Sequence, residues 1–226
     1  MDYSLLTQKI PSIFDNKDAA FKIILDRDEI AIWRNDQKKE LKKLDLPEDW
    51  ADIGVILEDK YILVLRDLVE FPGGYRNGYL RIFNREGLEN GASGVVVLPE
   101  KDGKFLIMRQ FRHATRNWHW EIPRGFGESG LTPEENAAKE VSEEIHGKIG
   151  ELLKLGSYHN NTGLEGHTVQ LFMAKMNSVG EGEKAEGIKI IRWVSSKEME
   201  EMISNEEITD GFTIAAYTRA KFKGLI

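Results

Sequence analysis

With 226 residues, 38 acidic against 31 basic side chains and a formal net charge of −7, the chain has a globular composition, neither disordered nor fibrous. The absence of cysteine excludes disulfides, thiolate zinc sites and a cysteine nucleophile. No apolar run approaches the roughly 20 residues of a membrane span, and the acidic balance argues against a broad nucleic-acid-binding face. The first ten residues, MDYSLLTQKI, lack the basic start and apolar stretch of a signal peptide. A cytoplasmic protein with no membrane or nucleic-acid partner is expected.

In chain order, FKIIL (21–25) and EIAIW (29–33) read as strands around an Asp-Arg-Asp turn, and QKKELKK (37–43) as a solvated face or loop. YILVLRDL (61–68) and GYLRIFN (78–84) read as strands joined through the Pro/Gly turn chemistry of FPGGYRNG. Residues 1–90 are therefore expected to form a β-rich N-terminal region. A second set begins with GVVVLP (94–99) and KFLIMRQFR (104–112), a hairpin turned at EKDG (100–103). After a glycine-rich loop and a helix come strands at 151–159, 168–176 and 187–194, then helices near 196–205 and 210–222. Runs of strands with separate helices indicate α+β or a layered mixed sheet, not a doubly wound parallel one.

The most informative stretch is EIPRGFGESGLTPEENAAKEVSEEIHG (121–147). Thr132 is a good N-cap, Pro133 suits the first helical position, Glu135 completes a capping box and Gly147 is a stop. On this helix Ala137, Ala138, Val141 and Ile145 share one face, and Glu140, Glu143 and Glu144 another. Like charges at this spacing repel by about 0.2–0.5 kcal/mol per pair. Glu143 and Glu144 also lie near the negative end of the helix dipole. Bound divalent cations would relieve both penalties, since hard cations prefer carboxylate oxygen and are shared with substrate phosphates. The alternative for the glutamates alone is a solvated acidic helix.

The stretch resembles the Nudix box of the Nudix hydrolases: Gly125 opens it, and Lys139-Glu140-Val141-Ser142-Glu143-Glu144 forms its helical core. Three positions depart from the pattern. Leu131 stands for the first Glu, Lys139 for Arg, and His146 for Gly, with Gly147 one place late. In the family that Glu and Arg resemble a brace between loop and helix, so an apolar Leu131 is expected to pack where an ion pair normally sits. The His146-Gly147 slip is expected to lengthen the helix by one residue. MRQFRH (108–113) with WEIPRG (120–125), and ITDGFTIAAYTRA (208–220), resemble the ADP-ribose pyrophosphatase-like branch.

The resemblance implies an α+β Nudix fold, a mixed β-sheet sandwiched between helices, over 91–226, with residues 1–90 as a β-rich extension used for dimerisation. It implies Mg²⁺ or Mn²⁺ held by Glu140, Glu144 and the backbone carbonyl of Arg124, with Glu143 a ligand or an orienter of the attacking water. Arg109, Arg112 and Arg124 would bind the diphosphate. The acidic loop offers Glu181, Glu183 and Glu186 as general base, Glu186 ranking first and Glu183 second. Trp118 and Trp120 share a face if extended, either stacking a base or packing in the core, and Tyr75 and Tyr79 are weaker stacking candidates. His113 and His119 could touch substrate.

The implied activity is metal-dependent hydrolysis of the pyrophosphate bond in a nucleoside diphosphate-linked small molecule, ADP-ribose or another nucleotide sugar, by a homodimer. The alternatives are a non-catalytic Nudix module that senses or binds nucleotides, and an enzyme for dinucleoside polyphosphates, nucleotide cofactors or capped RNA.

Overall fold

The computed structural model describes residues 2–226, and the chain folds into two compact units. The first comprises residues up to Glu89 together with Asn161–Gly166; the second comprises Asn90–Asn160 and His167–Ile226.

In the first unit, helix α1 (Tyr3–Lys9) precedes strand β1 (Lys22–Ile24), helix α2 (Arg27–Lys43) and strands β2 (Gly54–Glu58), β3 (Ile62–Glu70) and β4 (Arg76–Asn84). A short helix α3 (Arg85–Asn90) follows. Strand β3 pairs antiparallel with β1, β2 and β4. Its apolar face joins Leu6, Phe14 and Phe83 in a core. The buried Asp67 accepts hydrogen bonds from Tyr3 and Arg81. Residues 29–33, expected as a strand, instead lie in α2. Asp26 caps that helix by accepting from the Asp28 and Glu29 backbone N–H groups, and the run at 37–43 forms its last turns. None of its residues is buried, so the apolar period that identifies a helix was missing from the sequence.

The second unit holds strands β5 (Gly94–Lys101), β6 (Lys104–Arg112), β7 (Asn117–Glu121), β8 (Arg124–Gly125), β9 (Lys148–Tyr158), β10 (Val169–Ser178) and β11 (Ile188–Ser195). The order is β11-β6-β5-β10-β9, with β7 added to β6 and β8 to β5. Only β5 and β10 run parallel, so the sheet is mixed. Helix α4 (Pro133–Ile145) covers one face through Ala137, Val141 and Ile145 against Val95, Val97, Leu106 and Met108. Helices α5 (Ser196–Ser204) and α6 (Gly211–Phe222) cover the other, over Val96, Leu98, Phe105 and Ile107. Alternation along β5 and β6 sends successive side chains to the two cores. This is the α+β sandwich the sequence implied. Ala138, expected on the packed face of α4, is exposed.

Candidate active site

The site is built on the start and the far end of α4. At the start the expected capping box is present: the Thr132 hydroxyl accepts from the Glu135 N–H at 3.2 Å, and Glu135 accepts from the Thr132 N–H at 2.8 Å. The helix does not lengthen at its end. It stops at Ile145, and His146 itself takes the left-handed conformation (φ 47°). Gly147 is required for space, because a Cβ there would lie 2.7 Å from Val141 Cγ1.

The brace expected to be lost is rebuilt from another residue. Lys139 Nζ donates to Glu128 Oε1 at 2.5 Å and to Glu143 Oε2 at 3.0 Å, while Leu131 is 36% exposed and packs in no core. Loop and helix are thus tied by Glu128, three residues before the vacant box position. The buried Asn136 adds a second tie by donating to the Phe126 carbonyl at 2.9 Å.

Of the three carboxylates, two are drawn inward. Glu144 is 5% exposed and accepts a hydrogen bond from the Arg124 backbone N–H at 3.0 Å. Glu140 is half-buried against Gly125, where a Cβ would stand 2.0 Å from its Oε1. Glu143 stays exposed and paired with Lys139. Burial, followed by the charge of Glu143, pushes Glu140 up to about 7; Lys139 opposes the shift, and Glu128 and Glu186 add to it. Burial pushes Glu144 up to about 8 against its bond from Arg124, with the Glu140 charge adding and Arg112 and Arg124 opposing.

A shared arginine cluster lies beside them. Glu121, 2% exposed, accepts from Arg112 Nε at 2.8 Å and from Arg124 Nε and Nη2 at 3.2 Å each. The Arg124 guanidinium also lies over the Phe212 ring and 3.8 Å from Asp210, the N-cap of α6. Arg109 is not brought to this cluster. Arg112 lies two positions from Gln110 and four from Met108, on the α4 face, whereas Arg109 points to the opposite face. There it lies over the Trp120 ring and lines a cavity of about 480 Å³ with Trp118, His119 and Thr209.

Within the acidic loop, the Glu183 carboxylate caps its own turn at the Ala185 N–H and lies 3.7 Å from His146. The exposed Glu186 is near enough for its charge to raise Glu140. Glu181 is exposed. Tyr75 and Tyr79 belong to the first unit, the latter donating to the Gly163 carbonyl. His113 meets Arg116 within its own turn. The contributions of Glu121, Glu128, Asn136 and Asp210 escaped the sequence reading. All four lie within stretches that carried the family resemblance, Glu121 in WEIPRG (120–125) and Asp210 in ITDGFTIAAYTRA (208–220), but no role was assigned to them.

Among the described residues no three acidic or histidine side chains converge into a closed cage. The donors nonetheless suit a hard divalent cation. Mg²⁺ is commonly held by one or two carboxylates, with waters and substrate phosphates completing its shell. Two inward carboxylates, with the Glu140 charge opposing ionisation of Glu144 and Gly125 leaving space beside Glu140, would provide such a partial site. Its electrostatics set a pH dependence. Both folded carboxyls keep protons that the unfolded chain releases near 4.5, so the contribution of this pair to metal-free stability is highest below that pH and is lost as pH rises through about 7 and about 8. The melting temperature of the metal-free chain is expected to drop by about 5 °C or more between pH 5 and 8.5. Saturating Mg²⁺ should raise it more at pH 8.5 than at pH 5. Equal Mg²⁺ shifts at both pH values in thermal melts would contradict the carboxylate pair as the binding site.

Residues 89–212 match the family model of the NUDIX domain. The chain is 25% identical to the ADP-ribose pyrophosphatase of Bacillus subtilis over 172 residues, 74% of this chain and 89% of that protein. It is 26% identical to the ADP-ribose pyrophosphatase of Mycobacterium tuberculosis over 154 residues, 66% of this chain and 72% of that protein. A CMP-5'-(N-acetyl-N-hydroxy-3-aminopropyl)phosphonate hydrolase of Streptomyces rubellomurinus matches at 22% over 162 residues, 71% and 76% of the two chains. The fold is similar to the crystal structure of an ADP compounds hydrolase, with TM-score 0.64 and 16% identity over 77% of this chain and 95% of that one. With the family model covering more than half its length, the chain belongs to the NUDIX domain family.

Proposed function

We propose that this chain is a divalent-metal-dependent pyrophosphohydrolase that cleaves ADP-ribose or a closely related nucleoside diphosphate derivative. The observation that carries the reading is the Glu140–Glu144 pair, both drawn inward, Glu140 against Gly125 and Glu144 at the Arg124 backbone N–H. Glu140, Glu144 and the Arg124 carbonyl would hold Mg²⁺ or Mn²⁺, which would neutralise the diphosphate and lower the pKa of a bound water.

The protein's own groups supply the rest. Arg112 and Arg124, oriented by Glu121, offer guanidinium edges to the phosphates. Water adds to one phosphorus, giving its proton to the Glu186 carboxylate, and the bridging oxygen leaves with the other phosphate. Glu143, exposed and held by Lys139, orients the attacking water. For ADP-ribose the products are AMP and ribose 5-phosphate. The ADP-containing substrates are favoured because two of the relatives carry that activity in their names. The relative that acts on a CMP conjugate argues for testing the base directly. A panel of ADP-, UDP-, GDP- and CDP-linked sugars, read by product chromatography, is expected to give AMP from ADP-ribose fastest. Release of inorganic phosphate without a nucleoside monophosphate would overturn the assignment of the cleaved bond.

A further inference from the structure

The loop that carries Glu186 is held at two places. At its front, Gly180 and Glu183 donate their backbone N–H groups to the carbonyls of Ile145 and Glu144, at 3.0 and 2.8 Å. These are end-of-helix acceptors that α4 leaves without an intrahelical donor. At its back, the loop closes in a turn at Lys184–Glu186, ended by Gly187 in the left-handed conformation (φ 73°). There the Phe111 N–H donates to the Gly187 carbonyl at 3.1 Å. One side chain joins this back anchor: Gln110, 3% exposed, donates Nε2 to the Glu186 carbonyl at 3.0 Å.

Gln110 is an unusual occupant of its place. It follows Leu106 and Met108 on the same face of β6, where an apolar side chain would be the ordinary choice. Its Oε1 is buried with no hydrogen-bond partner. Burying an unpartnered amide oxygen is costly, so stability alone gives a poor account of glutamine here. What the amide provides, and an apolar residue could not, is the donor to the Glu186 backbone.

We infer that Gln110 is a positioning residue for the reaction: its amide fixes the Glu186 segment and thereby keeps the Glu186 carboxylate in reach of Glu140. The inference rests on the proposed role of Glu186 as the base, and it adds a residue that acts only through it. Gln110→Met is the informative change, because it keeps the length of the side chain and removes both the donor and the unpartnered oxygen. The lost hydrogen bond is offset by removal of the buried unpartnered oxygen, so the melting temperature should stay within about 2 °C.

The test compares wild type, Gln110→Met, Glu186→Gln and the double variant in the full chain, with ADP-ribose and Mg²⁺. Glu186→Gln is expected to lower kcat about 100-fold. Gln110→Met should lower it about tenfold with KM within twofold. The double variant should be no slower than Glu186→Gln alone, because the two residues act as a unit. Hydrogen exchange in the metal-free chain gives a readout independent of turnover: the amides of Glu186, Gly187 and Ile188 should exchange faster in Gln110→Met. Multiplying kcat losses, a change in KM alone or unchanged exchange would overturn the positioning role. Wild-type kcat in Glu186→Gln would instead defeat the assignment of the base, and with it the reason for the anchor, while leaving the metal site standing.

Discussion

Glu144→Gln is expected to lower turnover by about a thousandfold while the fold persists and the metal-free protein becomes more stable at pH 8. The loss follows from chemistry that a neutral amide cannot supply, since several kcal/mol of metal-assisted charge stabilisation corresponds to about three decades in rate. Persistence of the fold follows from the site's geometry. Glu144 is buried and its Oε2 accepts the Arg124 backbone N–H, a bond that an amide oxygen retains. The gain in stability follows from electrostatics. Burial raises the Glu144 carboxyl to about 8 and the Glu140 charge adds to it, so above neutral pH the folded chain carries an unfavourable buried charge that Gln lacks. Opposite signs in activity and stability distinguish a functional carboxylate from a structural one. A variant that keeps wild-type kcat, or that melts well below wild type at pH 8, would contradict this role.

Gly125→Ala should separate site from fold in a different way. The backbone at Gly125 is not in the left-handed region, so alanine meets no conformational penalty there. Its Cβ would lie 2.0, 2.1 and 2.4 Å from Oε1, Cδ and Oε2 of Glu140. All three atoms are the far end of a flexible side chain, which can rotate aside at about 1 kcal/mol. The same change at Gly127 would meet the Ala92 backbone at 2.5 Å, where nothing can rotate aside. Gly125→Ala is therefore expected to fold with nearly wild-type stability, yet to lose about 100-fold in kcat because Glu140 is driven out of place. Wild-type activity in a correctly folded Gly125→Ala protein would remove Glu140 from the site.

These residues also mark how far the sequence could be read. The start of α4 was legible because capping is local: Thr132, Pro133 and Glu135 lie within four positions and satisfy one another. Spacing placed Glu140, Glu143 and Glu144 on one helix face but left a solvated acidic helix open, and the metal role of Glu140 and Glu144 came from the resemblance to the Nudix box. What the sequence did not show is that Lys139 pairs with the exposed Glu143 and with Glu128. Box spacing pointed to position 131 for the brace, whereas the structure takes it from Glu128. Nothing in the sequence reveals that an acidic residue three places earlier can reach the same lysine. Glu121 collects Arg112 and Arg124 from different strands, and Gln110 meets the Glu186 carbonyl across 76 positions of chain, contacts that only the folded sheet creates. Arg109 and Arg112 look alike in the sequence, yet strand alternation sends them to opposite faces. In the first unit, Ile30 and Ile32 fit a period of two over five residues, but the Asp26 cap and the basic last turn make that segment a solvated helix.

The proposed function turns on whether the Glu140–Glu144 pair supports metal-dependent cleavage of a diphosphate. The most direct measurement is the rate of AMP release from ADP-ribose by the purified full chain with Mg²⁺ or Mn²⁺, repeated with chelator in excess. The expected result is turnover that disappears with chelator, returns on re-addition of the metal, and is lost in Glu144→Gln. AMP release that persists in excess chelator, or no release by a folded protein that binds ADP-ribose and metal, would contradict it.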